Sequence, residues 1–177
     1  MDDEFRAKKI TPFINGRKII DLGGGSTNVH KYIKKLFPQI TCLDIEEGID
    51  LNKDFKIEKN HDTILALELI EHLNSPIEFI RKCKTFMNKN SKLIITTPNA
   101  GLQYFINPSW HVRNTDDFDG HRYVFTIPMV KCILEDEGFE IIHEEYLNVF
   151  WYNRLAKFIC KLIPKLRNDF LIVARKK

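Results

Sequence analysis

The chain has 177 residues, of which 44% are hydrophobic and 13 are phenylalanine, so its composition excludes an intrinsically disordered protein. The net charge of +3 is unevenly spread: residues 1–150 carry 19 basic and 23 acidic side chains, whereas residues 151–177 carry 8 basic and one acidic. The mildly acidic body would repel phosphate, which argues against a general nucleic-acid binder and against DNA as a partner. The length predicts a single domain over 1–177 with a sizeable core.

The cysteines and the N-terminus indicate the cellular compartment. The four cysteines, at positions 42, 83, 132 and 160, form no CxxC pair, which disfavours a zinc or thioredoxin-type site and suits a reducing environment. The first residues are acidic and lack the apolar segment of a signal peptide. No apolar run approaches the roughly 20 residues that span a bilayer. We therefore expect a cytoplasmic protein, with peripheral contact to a membrane left open.

The first half of the chain alternates strand and helix signals. The β-rich run 17–22 ends in three glycines, and the segment 29–37 behind them has apolar residues at helical spacing until Pro38 ends it. Two further strands are predicted at 40–44 and 62–67.

The second half continues the alternation. Ser75 and Pro76 are typical of a helix N-terminus, and Glu78 three residues on supports it. The later predicted elements are a strand at 92–97, an irregular lid segment at 100–125, a helix at 128–138, a strand from 139–142, an amphipathic helix at 152–166 and a strand at 170–174. This order predicts an α/β fold with a doubly wound, mostly parallel sheet of the Rossmann-like type.

In such a sheet, ligands bind at the carboxyl ends of the strands. The run Asp21-Leu22-Gly23-Gly24-Gly25, with Asp44 twenty-three residues after Asp21, stands at the predicted ends of the first two strands. It resembles the first motif, and the acid that follows it, of class I S-adenosylmethionine-dependent methyltransferases.

The resemblance extends along the chain. The segments 62–73 and 92–99 are similar to two later strands of that family and the residues that follow them, the second with a Thr-Pro-Asn ending. The segments 121–126 and 138–141 are similar to the later helix and strand of the group. The sequence does not contain the motifs of other phosphate-binding or nucleophilic sites. Asn28 stands where both the dinucleotide-binding motif G-x-G-x-x-G and the nucleophile motif G-x-S-x-G need glycine, and the chain has no P-loop.

The resemblance implies S-adenosylmethionine as cofactor. The implied binding residues are Asp21, Gly23, Gly25, Thr27, Asp44, Ile45, Asp50, Leu51 and Leu67. Asp44 would hold the ribose hydroxyls and Ile45 would pack on the adenine. Thr27 replaces a glycine found in many members, and it can cap the following helix and reach the cofactor carboxylate. The alternative to cofactor binding is that the three glycines only form a tight turn and that Asp44 only caps a helix.

Methyl transfer to a hydroxyl group requires removal of its proton. His72, His111 and His121 are the candidate catalytic bases. Glu68, Glu71 and His72 have the spacing of one face of a helical turn, and this Glu-x-x-Glu-His pattern resembles the divalent-metal site of ubiquinone-biosynthesis O-methyltransferases. That resemblance implies Mg²⁺, whereas a solvated helix start is the alternative interpretation.

The predicted helix 152–166 is basic and amphipathic. Leu155, Phe158, Ile159, Leu162, Ile163 and Leu166 recur at helical spacing beside Arg154, Lys157, Lys161 and Lys165. The apolar stripe either packs on the sheet or docks on a membrane surface, a lipid-linked acceptor or an anionic acceptor.

The leading functional hypothesis is an S-adenosylmethionine-dependent methyltransferase that acts on a small or lipid-linked acceptor, at oxygen. The alternatives are a catalytically inactive methyltransferase-like binding module and an RNA methyltransferase that uses the basic C-terminal segment. The signature of amino-group nucleic-acid methyltransferases is missing, because Leu-Glu-Leu-Ile stands at 67–70. No pattern indicates the oligomeric state.

Overall fold

The computed structural model describes residues 3–25, 27–53, 55–100, 120–147 and 154–177. These ranges contain one sheet with the strands β1 (Ile19–Leu22), β2 (Thr41–Leu43), β3 (His61–Leu67), β4 (Met87–Pro98), β5 (Phe139–Leu147) and β6 (Asp169–Lys176). The strand order is β2-β1-β3-β4-β6-β5. Strands β1 to β4 are parallel, and β6 pairs antiparallel with both β4 and β5. The predicted doubly wound, mostly parallel fold is confirmed.

The helices of the described ranges begin where the sequence provides caps. They are α1 (Asp3–Ile10), α2 (Asn28–Leu36), α3 (Pro76–Thr85), α4 (Ile127–Asp136) and α5 (Arg154–Leu162). The Thr27 side chain accepts a hydrogen bond from the His30 backbone N–H at 3.2 Å, and the Ser75 side chain accepts one from Glu78 at 3.4 Å. Each bond satisfies an amide that the helix itself leaves without a partner.

Two apolar clusters cover the two faces of the sheet. On one face, alternate strand residues such as Ile64 pack with the buried sides of α3 and α4. On the other face, their neighbours such as Leu65 pack with α1 and α2. Side chains alternate between faces along a strand, so a continuous apolar run supplies both layers at once.

The structure differs from the predicted elements in four places. Helix α1 was not predicted, β4 begins at Met87, and β5 runs on to Leu147. The predicted helix 152–166 is α5 followed by a separate 3₁₀ turn at Pro164–Leu166, because proline lacks the N–H that would continue the helix. Most of the predicted lid, residues 101–119, lies outside the described residues. No helix in the described part of the chain combines the length and apolar character needed to cross a bilayer.

Candidate functional site

The glycine turn after β1 joins the ends of two strands. The backbone N–H of Gly23 donates to the Leu43 carbonyl at 2.8 Å, which links the carboxyl ends of β1 and β2. Gly23 and Gly25 have φ angles of 77° and 43°, in the left-handed region that favours glycine. A Cβ atom on Gly25 would lie 2.9 Å from Asp44 Oδ2. The turn therefore approaches the Asp44 carboxylate as closely as its backbone permits.

Asp44 caps a short turn and keeps a second oxygen directed at the glycines. Its Oδ1 accepts a hydrogen bond from the Glu46 N–H at 3.1 Å, at the start of the 3₁₀ turn Ile45–Glu47. Its Oδ2 faces Gly25. The Ile45 side chain is 49% exposed, which leaves an apolar surface open beside the carboxylate. The cap and a ligand-binding role are thus compatible in one residue.

Asp50 and Leu51 follow this turn. Asp50 Oδ1 accepts a hydrogen bond from the Asn52 N–H at 2.9 Å, and that bond holds the pKa of Asp50 below its ordinary value. Leu51 packs partly against the larger apolar cluster. The Ile49 N–H donates to the Asp44 carbonyl at 3.1 Å, which keeps this stretch beside Asp44.

Asp21 lies beneath the glycine turn. It is fully buried, and its Oδ2 lies 2.8 Å from His30 Nδ1 on α2. Burial raises the pKa of the Asp21 carboxyl, the His30 contact opposes the rise, and the Asp44 charge adds to it. A Cβ atom on Gly24 would overlap the Asp21 carboxylate. Asp21 therefore contacts the turn from inside the protein.

A cavity of about 380 Å³ opens beside the glycine turn. Its lining residues come from α1, the turn, α2 and the end of β3, and are Asp3, Arg6, Gly23, Thr27, Asn28, Val29, Leu67 and Glu68. The predicted residues Gly23, Thr27 and Leu67 thus lie around one cavity.

Arg6 is the functional candidate that sequence reasoning missed. Its Nη2 lies 3.2 Å from Glu68 Oε2 and 3.3 Å from Asp169 Oδ2, and its side chain is 7% exposed. Glu68 adopts a φ of 54°, which is uncommon for a residue with a Cβ atom. Nothing in the sequence singles out Arg6 among 27 basic residues, because its two partners are 62 and 163 positions away.

A second group of polar side chains surrounds the end of β4. Glu71 is buried, and its Oε2 accepts a hydrogen bond from Thr97 Oγ1 at 2.8 Å. Burial, with the nearby Glu68 charge, raises the pKa of Glu71 well above its ordinary value. His72 Nε2 lies 4.0 Å from Glu71 Oε1, and the His72 and His121 rings meet edge to face with centroids 4.8 Å apart.

This group differs in membership from the predicted metal set. One potential ligand atom from each of Glu71, His72 and His121 lies within 4.8 Å of the others, and Glu68 is not among these three residues. Glu68 precedes the 3₁₀ turn Ile70–His72, so the expected shared helical face does not form, and its carboxylate pairs with Arg6 instead.

The chain returns to this group after the predicted lid. The backbone N–H of Arg122 donates to the Glu71 carbonyl at 2.7 Å, which brings His121 to His72. His111, the third predicted base, lies outside the described residues.

Comparison with known proteins identifies relatives of this chain. Residues 4–144 match the family described as a methyltransferase domain. The ubiquinone biosynthesis O-methyltransferase of Xanthomonas euvesicatoria pv. vesicatoria (strain 85-10) is 24% identical over 48% of this chain and 44% of its own length. The chain therefore spans less than half the length of that relative.

Solved structures share the fold at low sequence identity. A SAM-dependent methyltransferase from Archaeoglobus fulgidus superposes with a TM-score of 0.68 at 21% identity, over 99% of this chain and 95% of that one. The [4+2]-cyclase SpnF superposes with a TM-score of 0.65 at 14% identity, over 98% of this chain and 80% of that one. The fold alone thus occurs with more than one reaction.

Proposed function

Because the chain belongs to the family of methyltransferase domains, we propose that it transfers a methyl group from S-adenosylmethionine to an oxygen atom of a small or lipid-linked acceptor. The observation that carries the proposal is the contact of the glycine turn with Asp44, at the carboxyl ends of β1 and β2 and beside an open cavity. Ligands of doubly wound sheets bind at this edge.

The residues around the turn fit the cofactor's two ends. Asp44 Oδ2 would accept hydrogen bonds from the ribose hydroxyls, and the exposed Ile45 side chain would contact the adenine. The methionine end carries one carboxylate and one ammonium group, and the cavity offers both charges, in Arg6 and Glu68. The proposed cofactor residues also include Asp21, Gly23, Gly25, Thr27, Asp50, Leu51 and Leu67.

The bound cofactor supplies an electrophilic methyl group on a sulfonium, so the protein has only to orient the acceptor and remove its proton. His72 and His121 are the described imidazoles beside the end of β4, and Glu71 lies next to them. We propose that one of these imidazoles accepts the proton of the acceptor hydroxyl. The name of the Xanthomonas relative supports oxygen as the target.

A divalent cation is the competing role for the same side chains. Two imidazoles and one carboxylate fit Mg²⁺ poorly, because Mg²⁺ prefers oxygen ligands, and suit a transition metal better. Glu68, the second predicted carboxylate, is held by Arg6. These side chains therefore do not fit Mg²⁺. Loss of turnover on chelation, restored by Mn²⁺ or Zn²⁺, would assign the imidazoles to a cation rather than to proton transfer.

A lipid-linked acceptor would reach the site from a bilayer, so we also propose that the segment 152–166 contacts a membrane surface. The exposed apolar side chains of α5 support it.

Calorimetry with S-adenosylmethionine tests the cofactor site. We expect Asp44→Ala to weaken binding about ten- to a hundredfold, because charged hydrogen bonds contribute about 1.5–3 kcal/mol. Asp136→Ala is the matched control, because it removes a carboxylate from the last residue of α4. This variant should bind S-adenosylmethionine as the parent does. Equal affinity of the Asp44 variant and the parent would overturn the assignment.

Turnover tests the acceptor side. Single His72→Gln and His121→Gln variants, assayed on a panel of phenols and catechols, should bind the cofactor normally, and at least one should lose about a hundredfold or more in turnover. Cofactor binding without turnover by the parent on the panel would favour a binding module instead.

A further inference from the structure

Helix α5 exposes part of its apolar stripe. The side chains of Leu155, Phe158 and Leu162 are 68%, 58% and 65% exposed, whereas Cys160 on the opposite side is fully buried. Ile163, directly after the helix, is also 41% exposed, whereas Ile159 and Leu166 are half-buried, so most of the predicted stripe faces outward. An outward row of large apolar side chains on one helix is a feature of interaction surfaces.

Basic residues accompany this row. Lys161 and Lys165 are exposed next to it, and the segment 154–167 contains five basic residues and no acidic one. A helix with adjacent apolar and basic exposed rows is typical of proteins that lie in the interface of an anionic membrane.

The helix is fixed to the edge of the sheet that holds the candidate site. Asn99, directly after β4, donates from Nδ2 to the carbonyls of Lys165 and Arg167 at 2.9 and 2.7 Å. Arg167 in turn donates to the carbonyls of Cys160 and Tyr146. Two residues before Asn99, the Thr97 hydroxyl binds Glu71. The exposed row and the Glu71 group are thus connected through the same strand end.

We propose that α5 docks this domain on an anionic lipid surface, with the carboxyl edge of the sheet directed at the membrane. The proposal deepens the acceptor part of the proposed function, because it brings a lipid-linked acceptor to the side of the fold that carries Glu71. A second copy of the chain fits less well, because a two-fold interface through α5 would bring together two segments that each contain basic residues and no acidic one. The four exposed apolar side chains of this segment, Leu155, Phe158, Leu162 and Ile163, are also few for a protein interface of about 800 Å² per partner.

Co-sedimentation of the full chain with vesicles tests the docking. We expect binding to phosphatidylcholine vesicles that contain phosphatidylglycerol, and much weaker binding to phosphatidylcholine alone. The pair Phe158→Ser and Leu162→Ser should reduce partitioning by about tenfold or more, because each buried apolar side chain contributes. The pair Lys161→Glu and Lys165→Glu should reduce it similarly, since each basic residue contributes about fivefold near an anionic surface.

Matched controls distinguish docking through α5 from nonspecific hydrophobic binding and from the proposed function. Leu36→Ser with Met129→Ser removes apolar side chains that are 55% and 50% exposed from α2 and α4 and should leave partitioning unchanged. The proposal would be overturned if the parent did not bind the vesicles, or bound them equally well with and without phosphatidylglycerol. It would also be overturned if both α5 double variants bound as the parent does. Cofactor affinity, measured by calorimetry on the same proteins, reports the proposed function separately, because no variant touches Asp44 or the glycine turn.

Discussion

Two parts of the carboxyl edge of this sheet, the proposed cofactor part (the cofactor edge) and the proposed acceptor part (the acceptor edge), are built in different ways. At the cofactor edge, the glycine turn and Asp44 come from one stretch of 24 residues, and backbone geometry determines their approach. At the acceptor edge, Thr97 reaches Glu71 across 26 residues and Asn99 reaches Lys165 across 66. Side chains that are distant in sequence determine this second arrangement.

The difference has a consequence for function. A cofactor site made from a short, local motif can stay the same while the rest of the chain varies. An acceptor site made from distant side chains changes whenever any of its contributing segments changes. Within one family, we expect the same cofactor with different acceptors.

Arg6 joins the two edges, so its removal should have the largest effect. Arg6→Met would leave Glu68 and the buried Asp169 without the cation between them, and breaking a buried ion pair costs about 3–5 kcal/mol. Urea denaturation would measure the loss. Lys8→Met, two residues on in α1, removes an exposed pair with Glu4 and should cost less than about 0.5 kcal/mol. Equal losses in the two variants would show that the buried pairs of Arg6 contribute no more stability than the exposed pair of Lys8.

Gly25→Ala tests whether backbone geometry governs the cofactor edge. The new Cβ would press on Asp44 Oδ2, so we expect S-adenosylmethionine affinity to fall about tenfold or more. Gly48→Ala is the control, because Gly48 also has a positive φ but a Cβ there meets nothing within 4 Å. Both variants should lose about 1 kcal/mol of stability from the left-handed backbone, and only the Gly25 variant should lose affinity. An affinity loss in both would point to general strain.

The sequence predicted the features that depend on local pattern. The strands β1 and β3, the Thr27 and Ser75 caps and the glycine turn each follow from neighbouring residues, and the structure contains them. The alternation of strands and helices was enough to predict the doubly wound sheet.

Other features lacked a local signal. Helix α1 buries only Arg6, Ala7 and Ile10, so its apolar period is too weak to detect. The start of β4, Met87 to Ser91, is mostly polar and has low strand propensity. The apolar stripe of α5 is visible in the sequence, but which part of it faces solvent depends on the packing of Cys160 and Arg167.

Two neighbouring threonines test the acceptor edge. Thr97→Val removes the donor to buried Glu71 and should cost about 1–3 kcal/mol. Thr96 is equally buried, and its hydroxyl has no hydrogen-bond partner among the described residues, so Thr96→Val should be neutral or slightly stabilising. Urea denaturation of both variants measures the contrast. The same loss in both would mean that the Glu71 contact contributes nothing specific.

The smallest effect concerns the pH dependence of the cofactor edge. Burial raises the pKa of Asp21, so the folded protein keeps this proton to a higher pH than the unfolded chain does. The free energy of unfolding should therefore fall as the pH rises from about 4, the ordinary aspartate value, through the raised pKa. Asp21→Asn keeps an acceptor for His30 and removes this component. We expect the variant to gain stability over the parent across that window.

Asp50 should change the free energy of unfolding with pH in the opposite direction. Its pKa is lowered by the Asn52 N–H, so its contribution is present above the ordinary aspartate value and is lost as the pH falls through the lowered pKa. Asp50→Asn should therefore lose stability relative to the parent at neutral pH and approach it in acid. Thermal unfolding of both variants between acid and neutral pH measures the two slopes. Parallel curves for the Asp21 variant and the parent would mean that the buried carboxyl under the glycine turn does not titrate differently on folding.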